Sequence, residues 1–283
     1  MPIDRKLSRL ILERLDRELR KLGRKPAPER VHRFRTNSRR AEALLSEVGF
    51  GHPGNDAKLL KLLARLRKKA GRVRDLDVEI AALRGLRVPQ ANAQKSQLMA
   101  ALVVERAKRE RKLIEASDRA TIDEIRKRLR RRAKDLNRPA YRDPLALAFR
   151  KLRELSRNGV PVSERILHQY RIIGKRARYL AELALASDNP QAKRLVERLK
   201  HMQDVIGDWH DWLKLSQRAE KILGDVPRSG LVAMLRNVTQ AKFRQSLAVV
   251  GEMRTTLASD PFPVPSAGNR NRLQKNAAQS TAA

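Results

Sequence analysis

A ten-residue pattern used twice constrains the fold of this chain more than any other feature. It reads His, any residue, aromatic, Arg, three residues, basic, Arg, Ala. The first copy is His32-Arg33-Phe34-Arg35-Thr36-Asn37-Ser38-Arg39-Arg40-Ala41, and the second is His168-Gln169-Tyr170-Arg171-Ile172-Ile173-Gly174-Lys175-Arg176-Ala177. The copies lie 136 residues apart, from His32 to His168, and the register holds without a gap into the next segment. There Leu59 meets Leu195, Leu63 meets Leu199, Gly71 meets Gly207 and Asp75 meets Asp211. A period this long is not a solenoid repeat; it predicts two similar halves related by an approximate twofold.

Local signals make both halves helical. Leu7, Leu10, Ile11, Leu15, Leu19 and Leu22 recur at helical spacing up to Gly23. Further helices are predicted from about Glu29 to Val48, from Asn55 or Asp56 to Leu83, and over 91–136 with a break at Ser117-Asp118, where a cap favours a restart. After Asn137-Arg138-Pro139 come helices from Pro144 to Arg157, from Ser163-Glu164 to Asp188-Asn189-Pro190, from Gln191 to Leu223, and from Gly230 to Leu257. Aromatics make up only 4% of the chain, and Leu, Ala, Arg, Lys and Glu dominate, so the expected class is all-α. The expected architecture is a pair of pseudo-symmetric four-helix bundles, over 1–138 and 139–258. Pro, Asn, Gln, Ser and Ala crowd residues 259–283, a composition that predicts a disordered tail.

Charge limits the function. The chain carries 64 Lys and Arg against 31 Asp and Glu, a formal net charge of +33. Self-repulsion on that scale points to a polyanionic partner: nucleic acid, an acidic membrane surface or inorganic polyphosphate. With no cysteine, neither disulfides nor Cys-ligated zinc can hold the fold. The stretch from Met1 to Arg9 lacks the apolar region of a signal peptide, and no segment has the apolar length to span a bilayer. A cytoplasmic location is therefore expected, with polyphosphate granules or the nucleoid as sites of association through a polyanion. No cofactor is implied, and the sequence leaves the oligomeric state open.

A helical wheel sharpens the repeated segment. His32, Arg35 and Arg39 fall within one narrow stripe, opposite Phe34, Ala41, Leu44, Leu45 and Val48. In the second copy His168, Arg171, Lys175 and Arg178 form the stripe, and Ile173, Ala177, Leu180 and Ala184 turn away. Ile172 and Tyr179 lie nearer its cations, which predicts a less solvated stripe lining a cleft. The helix after the first copy carries Arg65, Lys68, Lys69 and Arg72 on a basic stripe. Its counterpart is diluted to Arg194, Arg198 and His201, continued by Asp204 and Asp208, acids suited to holding Arg171 or Arg178. Any single stripe is as well read as a solvated helix face.

His32-Arg33-Phe34-Arg35 with Arg39-Arg40, and Leu167-His168 with Tyr170-Arg171, Lys175-Arg176 and Arg178-Tyr179, resemble the two signature segments of the CHAD family, the conserved-histidine α-helical domain. Gly71-Arg72-Val73-Arg74-Asp75-Leu76-Asp77-Val78 and Met202-Gln203-Asp204-Val205-Ile206-Gly207-Asp208-Trp209-His210-Asp211 resemble its two later motifs. The resemblance covers roughly residues 1–258. It implies two four-helix bundles about a basic surface that binds inorganic polyphosphate without catalysis. It assigns that binding to His32, Arg35, Arg39, Arg40, His168, Arg171, Lys175, Arg176 and Arg178. Some family members are fused to a triphosphate tunnel metalloenzyme domain; this chain has neither the length nor the ExExK-type strand pattern for one.

Two other readings compete. Non-specific nucleic-acid binding fits the charge equally well, although Phe34, Tyr170 and Tyr179 are the only aromatics near the stripes, and Phe34 and Tyr170 point toward the core. A metal-dependent polyphosphate hydrolase would use His201, Asp204 and Asp208, which share a helical face, with His210 and Asp211 following. That set lacks a partner motif of familiar ligand spacing. Pairing of these acids with arginines is the simpler account.

Overall fold

The computed structural model describes residues 5–22, 26–48, 53–88, 92–134, 136, 143–156, 161–185, 189–224 and 230–259. These form α1 (Arg5–Leu22), α2 (Pro28–Glu42), a π-helical segment (Ala43–Val48), α3 (Pro53–Gly85), α4 (Asn92–Ala116), α5 (Arg119–Lys134), α6 (Pro144–Ser156), α7 (Glu164–Leu183), α8 (Pro190–Leu223) and α9 (Gly230–Ser259). No strand occurs among the described residues. All but the first residue of the tail expected over 259–283 lie outside them.

The helices begin where the sequence supplies the missing backbone acceptors. Asn189 accepts from the amides of Gln191 and Ala192 at 2.9 and 3.2 Å, with Pro190 in the first turn of α8. Ser163 caps α7 by accepting from Ile166 N–H. The break at Ser117-Asp118 falls between α4 and α5, and Asp118 accepts from Thr121 N–H at 2.7 Å to restart the chain as α5. At the far end of α8, Gly224 takes a φ of 78°, a conformation open to glycine at no steric cost.

One boundary differs from the expected pattern. The helix predicted to run to Val48 is α-helical only to Glu42 and continues as a π segment. Ala43, Leu44, Leu45 and Val48 are all buried there. Wider winding gathers these closely spaced apolar side chains onto one face, while Ser46 returns its hydroxyl proton to Glu42 O at 2.7 Å.

Successive helices pack as neighbours: α1 on α2, α2 on α3, α3 on α4, and likewise α6 on α7, α7 on α8, α8 on α9. Helix α5 returns onto α1. The long hairpins are α3–α4 and α8–α9, whose first helices have 33 and 34 residues, about 50 Å each. The larger core joins α1, α2, α5, α6 and α7 to the N-terminal portions of α3 and α8. A second core joins the far ends of the hairpins through Leu76, Ile80, Leu83, Leu98, Leu102, Leu215, Leu231 and Leu235. Helix α2 meets α7, and α3 meets α8.

A basic cleft between two helix pairs

At that junction α2 and α3 form one wall of a cleft of about 510 Å³, and α7 and α8 form the other. Its lining contains six basic side chains: Arg35, Arg39 and Arg74 from the first wall, Arg171, Lys175 and Arg178 from the second. His32, Thr36, Tyr179 and Gln203 join them, with Asp75 from α3 and Asp204, Asp208 and Asp211 from α8.

The amphipathic pattern of α2 and α7 explains the arrangement. Phe34 and Tyr170 are 0% exposed and anchor the opposite faces of their helices in the core. That anchoring turns the His/Arg stripe of each helix toward the other. Arg35 lies along α3, its Nη1 donating to Gly71 O at 3.3 Å and to Asp75 Oδ1 at 3.4 Å. Arg178 stacks on Tyr179, with its guanidinium carbon 5.1 Å from the ring centre, and pairs with Glu182 at 3.5 Å. The Nε of Arg171 is buried with no hydrogen-bond acceptor among the described residues, whereas that of Arg178 has Glu182 Oε1 3.5 Å away. A buried donor without an acceptor is costly, and Arg171 bears that cost beside the cleft.

Proximity of like charges marks the whole cluster. Burial, reinforced by Arg171, Arg39 and Arg35, lowers the Lys175 ammonium to about 7. Desolvation, then Arg74, Arg35, Arg178 and Lys175, lowers His32 from its ordinary value. Desolvation also lowers His168, followed by the charges of His210 and Arg171; its ring stacks on that of His210 with centres 5.8 Å apart. Burial draws Arg39 and Arg171 downward as well, and Asp211 and Asp75 partly offset the effect at Arg171.

Of the residues singled out by sequence, the cleft gathers His32, Arg35, Arg39, Arg171, Lys175 and Arg178. His168 is not in its lining, although the charges of Arg171 and Lys175 reach it. Arg40 turns aside, and its Nε donates to Glu182 Oε2 at 2.8 Å. Arg176 lines a smaller recess with Glu42, Ser46, Glu47 and Tyr179. Arg65, Lys68, Lys69, Arg72 and His201 do not line the cleft. Arg65, Lys68, Arg72 and His201 are exposed, and Lys69 is half-buried.

Sequence reasoning passed over Arg74, the cation that α3 does contribute. The available signal was its place in Gly71-Arg72-Val73-Arg74-Asp75, since Gly71 and Asp75 share a helix face and Arg74 flanks it on the side away from Arg72. Among the acids, Asp208 pairs with Lys242 of α9 at 2.8 Å, and Asp211 is the acid that supports Arg171. No group of three or more His, Cys, Asp or Glu residues among the described residues is placed to hold a metal ion.

The fold and cleft thus define an all-α protein with a cationic cleft between two pairs of helices. The CHAD domain family matches residues 7–220, and the chain belongs to that family. Its structure is similar to the crystal structure of the CHAD domain from the plant Ricinus communis, at a TM-score of 0.64 and 19% identity over 88% of each chain. It is also similar to PptA from Streptomyces chartreusis, at a TM-score of 0.64 and 15% identity over 92% of this chain and 100% of that one. No curated protein matches the sequence. No helix among the described residues is long and apolar enough to cross a membrane.

Proposed function

We propose that this protein binds inorganic polyphosphate in the cleft, as a non-catalytic receptor. The observation that carries the reading is the convergence of six basic side chains, three from each wall, on one cleft. A linear polyphosphate offers charge and acceptor oxygens and little else, which is what guanidinium forks and an ammonium recognise. Membership of the CHAD family supports the same ligand. The aromatic platforms on which single-stranded nucleic acids stack are poorly provided, because Phe34 and Tyr170 lie wholly in the core.

The two halves are inferred to be repeats about this cleft. Arg35 and Asp75 are separated in sequence as Arg171 and Asp211 are, and each arginine is supported by its own acid. The order of helix neighbours is also the same in α1–α4 and α6–α9. Association with polyphosphate granules would follow from the ligand. Arg65, Lys68, Lys69 and Arg72 then serve as an outer approach surface that attracts a long chain without gripping it.

The test is a binding series against polyphosphates of increasing length over a range of salt, with duplex DNA as competitor. Affinity is expected to grow with length until the cleft is spanned and to fall steeply with salt as counterions are released. Replacing Arg35, Arg39, Arg171 and Lys175 by Glu is expected to abolish binding while the helical circular-dichroism signal stays. DNA displacing polyphosphate at physiological salt would overturn the reading in favour of a nucleic-acid backbone binder. Sustained phosphate release with Mg²⁺ or Mn²⁺, abolished by Asp204→Ala, would overturn its non-catalytic part.

A further inference from the structure

The interior cations of this protein are mostly held by carboxylates. Arg106 has Asp77 at 2.7 Å, Arg40 has Glu182 at 2.8 Å, and Arg218 has Glu79 at 2.6 Å. Lys175 differs. It lies inside the cleft with no ion pair or hydrogen bond to its ammonium among the described residues, its charge opposed by Arg171, Arg39 and Arg35 and only partly offset by Asp211. We infer that Lys175 is a covalent modification site, acylated by small acyl phosphates that the surrounding arginines gather. The inference rests on the phosphate-binding reading of the cleft for the gathering step alone.

The chemistry follows from the neighbours. Only a neutral amine attacks a carbonyl, and an ordinary exposed lysine at pH 7 is neutral in less than about one molecule in a thousand. Burial among guanidinium groups brings the Lys175 ammonium to about 7, so a large share is free base at neutrality. Arginines keep their charge under the same conditions and attract the phosphoryl end of the reagent. The Nζ lone pair attacks the acyl carbon, the bond from that carbon to the bridging oxygen breaks, and inorganic phosphate leaves. The surplus amine proton passes to water. The product is a neutral amide, and the second wall has lost one of its cations. An acylated cleft would hold a polyanion several-fold more weakly, so the state of Lys175 would set how much polyanion the protein carries.

The experiment uses the full chain, acetyl phosphate at millimolar concentration and pH 7, with site-resolved acetylation followed by mass spectrometry. Lys175 is expected to react at least about tenfold faster than exposed Lys200 on α8. Its advantage over Lys200 should be larger with acetyl phosphate than with the uncharged ester p-nitrophenyl acetate. Reaction no faster than at Lys200 would overturn the proposal, and an equal advantage with both reagents would overturn the gathering role of the arginines. Long-chain polyphosphate should shield Lys175. Fast acetylation without shielding would uphold the modification site while removing polyphosphate from the cleft, so the two readings fail separately.

Discussion

The wall made by α2 and α3 and the wall made by α7 and α8 hold equal numbers of basic side chains by different means. In the first, Arg35 spends Nη1 on Gly71 O and Asp75, and Arg67 donates to Ser38 Oγ at 3.3 Å and Glu42 Oε1 at 2.7 Å. In the second, Gln203 stands at the position of Arg67 in the shifted register, and its Nε2 donates to the carbonyl of Gly174 at 2.9 Å. An uncharged amide thus seals the second helix pair, and three aspartates of α8 sit in the cleft against one of α3. The first wall ties Arg35 to α3; the second leaves the Arg171 Nε without a hydrogen-bond acceptor among the described residues and buries Lys175 beside it. Equal numbers of basic residues do not mean equal readiness to bind.

Binding energies should reveal that difference most strongly. Arg171→Gln with Arg178→Gln is expected to weaken polyphosphate affinity about 100-fold, against about tenfold for His32→Gln with Arg35→Gln. Competition titration at fixed salt measures both, and a larger loss from the first wall would break the comparison.

Lys175 sharpens the comparison through pH. Its folded-state value is depressed to about 7 from 10.5, so the unfolded chain binds more protons across that window and stability of the empty protein rises with pH between those limits. Lys175→Met should remove that rise in Tm and stabilise the protein at pH 7 by about 1–2 kcal/mol, while weakening polyanion binding. Binding runs the other way. An anion favours the charged forms of Lys175, His32 and His168, so affinity should climb as pH falls from about 8 to about 6. Calorimetry in buffers of different ionisation enthalpy would register proton uptake; its absence, or an affinity that is flat with pH, would contradict the depressed values.

The glycines give a smaller contrast of opposite sign. A Cβ on Gly174 would come within 2.5 Å of Met202 Cε, whereas one on Gly71 would meet the Arg35 guanidinium at an ordinary 3.7 Å. Gly174→Ala is expected to cost about 1 kcal/mol by making the buried Met202 side chain repack, and Gly71→Ala to stabilise α3 by up to about 1 kcal/mol. Urea denaturation compares the pair. Smallest is Asp204→Asn, which removes an exposed acid from the second wall and should tighten polyphosphate binding about two- to threefold.

Much of this was legible in the residues themselves. Ser163 and Asp118 declare helix starts chemically, and the constant register from His32 to His168 brought both stripes to attention. What the sequence did not disclose depended on contacts between distant segments. Arg40 carries the same charge as Arg39, yet Glu182, its partner across 142 residues, draws it out of the cleft. On α3, basic residues cover so much of the surface that Arg72 and Arg74 look alike until packing fixes the helix rotation. The π turn was hidden as well, since a run such as Ala43-Leu44-Leu45 reads as ordinary helix.

One apolar core holds α2 and α7 at the join of the helix pairs, and the other ties the tips of the hairpins. Apolar packing thus sets the spacing of the mutually repelling cations, and an arriving anion relieves that repulsion. Salt then works in two directions on one molecule: screening relaxes the vacant cleft, while the same ions compete with a polyanion for it.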